Sequence, residues 1–198
     1  MVLLLNNALS FVAYGAVMML PIPFAWWLIA HRNKEKFSVF IGAVRPRFGG
    51  SRRAALVFAA VFVGMYTFYT VFPTEAIAEY AQWHSHMYIG MGFAAILPAA
   101  IYTYLLVLFN EVFFRGFLLS RLKRPLGLWP AMIVQAALVG ILALLMGEAF
   151  SVAIFAIVAG MLCAVLNQIV FDGRSIVPSV LLVGTVNFVA VMWVAFTS

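Results

Sequence analysis

Long apolar runs separated by short polar segments fill almost the whole chain. We predict six membrane-spanning helices, at residues 8–30, 54–72, 87–119, 129–146, 150–171 and 176–196. Each run is long enough, because about 20 apolar residues cross a bilayer as a helix. The third run is too long for one simple span, and Pro98 within it predicts a bend. Pro21 and Pro23 predict a similar kink in the first run.

The composition agrees with this pattern. The chain is 66% hydrophobic and only 9% charged, with a mean hydropathy of +1.10, whereas a soluble domain carries about 25% charged residues. We therefore expect an all-α, polytopic membrane protein with a single membrane domain over residues 1–198. No cleavable signal is predicted, because the start lacks basic residues and the first apolar run reaches spanning length. The single cysteine, Cys163, excludes an intrachain disulfide and a cysteine-based metal cluster.

Positive charge is confined to one side of the predicted membrane. All 12 lysines and arginines lie in or beside three segments, 31–53, 121–124 and 172–174. The opposite side carries Glu75, Glu79 and Glu148 and no basic residue. The positive-inside rule then places the basic loops in the cytoplasm and both termini outside, in what we expect to be a prokaryotic plasma membrane. The net charge of +6 therefore predicts contact with membrane lipids and not with nucleic acid.

Two polar segments outside the spans suggest binding sites. Within the basic loop 31–53, residues 37–44 are apolar enough to lie on the membrane surface. The loop is either a patch for anionic lipid or a partner, or an ordinary cytoplasmic loop, and the ordinary loop is favoured. His84 and His86 suggest a metal site, but alternate residues do not share a helix face and no third ligand lies nearby. Glu111 lies 25 residues after His86, which is about 37 Å along a helix. We therefore expect no metal and no cofactor.

An acid and a base lie four residues apart inside the third apolar run. These residues, Glu111 and Arg115, share one helix face because four residues make about one turn. A carboxylate near the centre of a helix in lipid costs about 2.5–3.5 kcal/mol on insertion scales, so its presence needs a reason. The reason is either a chemical role or a simple intrahelical ion pair, and the spacing is compatible with both.

The surroundings of this pair resemble a known family. Asn110-Glu111-x-x-x-Arg115 is followed by Phe-Leu-Leu, a basic turn and Gly-x-Trp-Pro-Ala at the start of the next helix. This order resembles the CPBP family, the CAAX-protease and bacteriocin-processing intramembrane proteins, over about residues 104–195. The resemblance implies a CPBP-like helical bundle. For active members it implies a water activated by glutamate and histidine for attack on a peptide bond, with an asparagine as stabiliser of the oxyanion.

The family's first motif, Glu-Glu-x-x-x-Arg usually followed by Gly, is matched in part. By the resemblance, Glu111 falls on the second glutamate, Arg115 on the arginine, and Asn110 on the position of the first glutamate. The candidate site residues are therefore Glu111, Arg115, Asn110 and, from the third motif, Asn187.

The other two motifs lack their histidines. The second, Phe-x-x-x-His, overlays residues 139–143, where Ala143 stands at the histidine position. The third, His-x-x-x-Asn or Asp, overlays residues 183–187, where Val183 replaces the histidine and Asn187 remains. For Asn187, a hydrogen bond to a neighbouring helix is favoured over a catalytic role, and for the buried Gln135 of the fourth run it is favoured over a ligand role.

Two functions follow from this partial match. The first is a non-catalytic protein that binds another membrane protein or a lipid-attached peptide. The alternative is an active intramembrane endopeptidase of the CAAX-protease type, which uses Glu111 and Asn110 in an unusual site. Gly160 and Ala164, four residues apart in the fifth run, predict a close helix contact and no chemistry.

Overall fold

The computed structural model describes residues 2–46, 88–171 and 175–197, with the isolated helical residues 56, 60 and 64. These ranges form helices and connecting turns and contain no strand, which confirms the predicted all-α class. The helices are α1 (Val2–Met19), α2 (Pro21–Ala30), the short α3 (Phe37–Phe40), the long α4 (Gly92–Leu126), α5 (Leu128–Leu145), α6 (Phe150–Val165) and α7 (Val177–Thr197).

Within the described ranges, four helical stretches are long and apolar enough to cross a membrane. They are Val12–Ala30, Gly92–Leu126, Leu128–Leu145 and Phe150–Ile169, and a shorter apolar helix covers Val177–Met192. The chain is thus an integral membrane protein built as a helical bundle. The predicted second span, 54–72, falls outside the described residues apart from the three isolated positions, and so do His84 and His86.

The first predicted span is interrupted where its prolines predicted a kink. Helix α1 ends at Met19, and α2 begins at Pro21, the first helical position. Proline is well suited to that position, because the first N–H groups of a helix have no intrahelical partner. The prediction of a break in this span is therefore confirmed.

Helix α4 is a composite of three helix types. A 3₁₀ turn, Gly92–Ala95, leads into the α-helical part Ile96–Glu111, which continues as a π-helix over Val112–Leu119 and returns to α geometry. Pro98 lies in the first turn of the α-helical part, where its missing N–H breaks no helical bond. The change to π geometry therefore lies directly after Glu111, and the change from 3₁₀ to α geometry lies beside Pro98, where the sequence predicted a bend.

Helix α4 is also the centre of the bundle, where it packs against α1, α5 and α7, while α5 packs along α6. The segment predicted to lie on the membrane surface packs onto one end of α4. Phe40 and Ile41 are buried in a cluster with Val112, Phe117 and Ile176. Phe40 and Ile41 therefore have protein partners, while Val39 of the same segment stays half exposed.

Candidate functional site

The acid and the base of α4 form a buried ion pair. Arg115 donates from Nη1 to Oε1 of Glu111 at 2.8 Å. The two residues are only 2% and 8% exposed. Glu111 is the last residue of the α-helical part, and Arg115 lies in the π-helix that follows. The predicted shared helix face therefore produces a direct contact deep in the bundle.

The second carboxylate oxygen of Glu111 is held by side chains from the two last helices. Ser179, in the first turn of α7, donates its hydroxyl to Oε2 of Glu111. Asn167, in the π-helical extension of α6, donates from Nδ2 to the Ser179 hydroxyl at 2.8 Å and reaches the same carboxylate oxygen at 3.5 Å. Asn167 and Ser179 are both buried. Three helices thus converge on one carboxylate.

The guanidinium of Arg115 also ties α4 to α6. Its Nη2 donates to the backbone carbonyl of Gly160 at 3.3 Å. A Cβ at Gly160 would lie 3.5 Å from Cα of Ala136 in α5, so the predicted close contact of this part of α6 is present. The Nε of Arg115 has no hydrogen-bond partner among the described residues.

Gly116, which follows Arg115, lies where the backbone after α3 approaches α4. A Cβ at this position would overlap the carbonyl oxygen of Ile41 and lie 3.0 Å from its carbonyl carbon. The segment after α3 can therefore approach α4 only because Gly116 has no side chain. This approach builds one wall of a cavity of about 430 Å³ whose lining includes Arg115 and Asn167.

The other predicted site residues lie elsewhere. Asn110 donates from Nδ2 to the carbonyl of Leu106 in its own helix at 3.0 Å. Asn187 lies eight residues after Ser179 in α7, about 12 Å farther along the helix. Two residues before it, Thr185 contacts the hydroxyl of Tyr104 at 2.8 Å. The carboxylate contacts described above therefore come from Asn167 and Ser179, and not from Asn110 or Asn187.

Gln135 does not form the interhelical hydrogen bond that the sequence predicted. It is fully buried in α5, and neither atom of its amide has a partner among the described residues.

The two motif positions expected to hold histidine are aliphatic, Ala143 in α5 and Val183 in α7. No group of three or more histidine, cysteine, aspartate or glutamate residues in the described ranges is arranged to hold a metal ion.

The described histidine, His31, lies in a separate polar contact after α2. Its Nδ1 is 3.1 Å from Oε1 of Glu35, and its Nε2 is 3.0 Å from Nη2 of Arg121. The guanidinium of Arg121 also lies over the rings of Phe40 and Trp26, at 5.0 and 5.8 Å from their centroids. This imidazole is therefore engaged with partners other than Glu111.

Sequence reasoning missed the two residues that complete the carboxylate site. A signal existed, because Asn167 and Ser179 are polar residues inside or beside long apolar runs, where polar side chains need partners. The motif comparison directed attention to Asn187 instead. What the arrangement provides chemically is a fully hydrogen-bonded carboxylate beside a cavity, with donors on both of its oxygens.

A comparison with known families supports the relationship suggested by the motif. The Rce1-like family model, described as type II CAAX prenyl endopeptidase Rce1-like, matches residues 92–189, about half of the chain. No curated protein and no solved structure matches the chain. The matched region runs from the start of α4 into α7 and contains every residue of the carboxylate site. Through this core, the chain belongs to the Rce1-like, CPBP-type family of CAAX prenyl endopeptidases.

Proposed function

We propose that this protein is a non-catalytic member of its family that binds another membrane protein or a lipid-attached peptide. The observation that carries the proposal is the state of Glu111. Its carboxylate is buried, and both oxygens already accept hydrogen bonds from protein groups. A general base must instead reach a water molecule or the group that it deprotonates.

The groups that would assist such a base are absent from the motif positions. Ala143 and Val183 carry no atom that binds a metal or transfers a proton. Arg115 meanwhile joins α4 to α6 through the Gly160 carbonyl, and Glu111 joins α4 to α7 through the Ser179 hydroxyl. These contacts favour a structural role for the carboxylate, because each of them holds a helix in place.

Binding of a lipid-attached peptide follows from the family's substrate class. A bundle that keeps the family's helices but lacks its imidazoles retains a surface for the substrate without the means to cleave it. The same reasoning accommodates a membrane protein as partner, since such a bundle offers long apolar helix faces within the bilayer.

The test uses the full chain in lipid nanodiscs. A fluorescent peptide that ends in a CAAX sequence is titrated with and without an attached farnesyl group. We expect saturable binding of the farnesylated form and no cleavage by mass spectrometry. Pull-down from detergent extracts, with the Glu148→Gln variant as a control of unchanged binding, then identifies reproducible membrane partners. Equal binding of both peptides together with the absence of any reproducible partner would overturn the proposal.

One observation favours the endopeptidase alternative. The Ser179 hydroxyl and the Asn167 amide place polar groups between Glu111 and the cavity that Asn167 lines. A rearrangement that admits water would bring the carboxylate within reach of a substrate. Cleavage of the farnesylated peptide that persists in Glu148→Gln, but disappears in a Glu111→Ala variant shown to remain folded, would establish this alternative and defeat the first proposal.

A further inference from the structure

The cavity beside Arg115 has a strongly one-sided charge. Three basic side chains line it, those of Arg115, Lys123 and Arg124. No acidic side chain lines it in the part of the chain that the structure describes. Because Glu111 neutralises Arg115 from behind, the excess positive charge of the cavity comes from Lys123 and Arg124. Such a cavity attracts an anion.

Two polar side chains of the cavity lining carry, behind the cavity surface, an atom that has no partner among the described residues. Arg115 and Asn167 are both more than nine-tenths buried. The Nε of Arg115 is a donor without an acceptor, and the Oδ1 of Asn167 is an acceptor without a donor. Buried polar groups without partners are uncommon and costly. Both atoms are covered by protein, so a ligand in the cavity contacts the exposed basic groups of the rim and not these two atoms.

The size and rim of the cavity fit such a ligand. Its volume of about 430 Å³ falls within the range of about 300–1,000 Å³ that is usual for small-molecule sites. At the rim, Lys123 donates to Oε1 of Gln168 at 3.0 Å, which holds the ammonium group at the mouth. Since an ammonium has three donors, it retains donors for an anion.

The position of the cavity points to lipid as the source of this anion. Lys123 and Arg124 lie in the last turn of α4, and the exposed Trp129 follows in the first turn of α5. Exposed tryptophan marks the level of the head groups at a membrane interface. Basic pockets between membrane helices at such a level bind phosphate-bearing lipid head groups.

We infer that this cavity binds the head group of an anionic glycerophospholipid. Its phosphate is held by Lys123 and Arg124 at the rim, with the Arg115 side chain in the lining behind them. This site goes beyond the proposed function, because it needs neither a lipid-attached peptide nor cleavage. It assigns the basic end of α4 to a specific ligand.

The test is native mass spectrometry of the detergent-purified full chain, titrated separately with phosphatidylglycerol and phosphatidylcholine. We expect one retained phosphatidylglycerol and no comparable retention of phosphatidylcholine. The double variant Lys123→Gln with Arg124→Gln should lose about tenfold or more in affinity for phosphatidylglycerol, because each basic residue near an anionic lipid surface strengthens binding to it. The variant Lys123→Arg with Arg124→Lys, which keeps both charges, should bind phosphatidylglycerol as the unchanged protein does.

The matched control removes the same charge from another exposed site. Arg32 and Lys34 follow α2 and do not line this cavity, so Arg32→Gln with Lys34→Gln should change the affinity less than twofold. An equal loss in both double variants would show general surface attraction and overturn the inference, as would equal retention of the two lipids. Inorganic phosphate forms a separate arm. If inorganic phosphate binds through Lys123 and Arg124 and neither lipid is retained, the cavity is a site for free phosphate and the assignment to a lipid head group is overturned.

Discussion

The buried ion pair of α4 allows the structural role of its carboxylate to be measured directly. Glu111→Gln keeps the shape of the side chain but leaves the guanidinium of Arg115 without its counter-charge. Arg115→Gln leaves a buried carboxylate with only the neutral donors of Ser179 and Asn167. Removal of one partner from a buried pair typically costs about 3–5 kcal/mol, because an uncompensated charge remains inside the protein.

The structure also predicts how the two changes combine. With 2.8 Å between Nη1 and Oε1, the pairwise attraction is roughly 6 kcal/mol at an effective dielectric constant of about 20, which suits protein sites. Glu111→Gln with Arg115→Gln removes both charges, so no charge remains unpaired. We expect the double variant to lose about as much stability as one single variant, far less than the sum of the two.

The assay is unfolding in mixed micelles of a mild detergent and dodecyl sulfate, with the free energy of unfolding taken from the transition midpoint. Lys123→Gln is the matched control, because its side chain is exposed and its hydrogen-bond partner among the described residues is the amide of Gln168. It should change the free energy by less than about 0.5 kcal/mol. Losses below about 1 kcal/mol in the single variants of Glu111 and Arg115, or losses that simply add in the double variant, would refute the reasoning.

Four further variants test other parts of the structure in the same assay. Gly116→Ala should cost about 1–3 kcal/mol of stability, because its Cβ meets the backbone of Ile41. Gly160→Ala, whose Cβ makes ordinary contacts, should cost less. Equal costs would contradict the close approach of Ile41 to Gly116. Gln135→Met should stabilise the fold by about 1 kcal/mol or more, because it removes two buried polar atoms without partners, and a loss of stability would reveal a partner. Tyr88 precedes the span of α4, and burial raises the pKa of its hydroxyl from 10.0 to about 12. Its contribution to stability is therefore complete below pH 10 and is lost as the pH rises through 12, and Tyr88→Phe should remove this loss from the pH dependence of the free energy of unfolding.

The hydrophobic pattern of the sequence was sufficient to predict the described helices and the contacts within one helix. Four-residue spacing brings Glu111 and Arg115 together because both belong to the same helix, whatever its neighbours are. Likewise, the position of Pro21 marks the break between α1 and α2. Neither prediction depends on how the helices pack against one another, which is why sequence alone could make it.

The contacts between helices were beyond the reach of this pattern. Asn167 and Ser179 lie 56 and 68 residues from Glu111 in the chain. An apolar run on all faces does not reveal how a membrane helix is rotated about its axis. The motif overlay therefore selected Asn187 on α7, whereas the packing of α7 brings its first turn, and hence Ser179, to the carboxylate. The burial of Phe40 and Ile41 was missed for the same reason, since it depends on the bare backbone at Gly116.

The presence of Glu111 in this chain is therefore weak evidence for catalysis. If Glu111 or Arg115 is changed alone, the remaining charge is stranded among α4, α6 and α7, at a cost of about 3–5 kcal/mol. Whole-protein stability is of the order of 5–15 kcal/mol, so either single change threatens the fold whether or not the carboxylate activates water. A histidine at position 143 or 183 would form no part of this ion pair, and its loss would leave both charges compensated. The pair can thus persist without peptide cleavage, and its structural role accounts for the buried acid in the absence of the motif histidines.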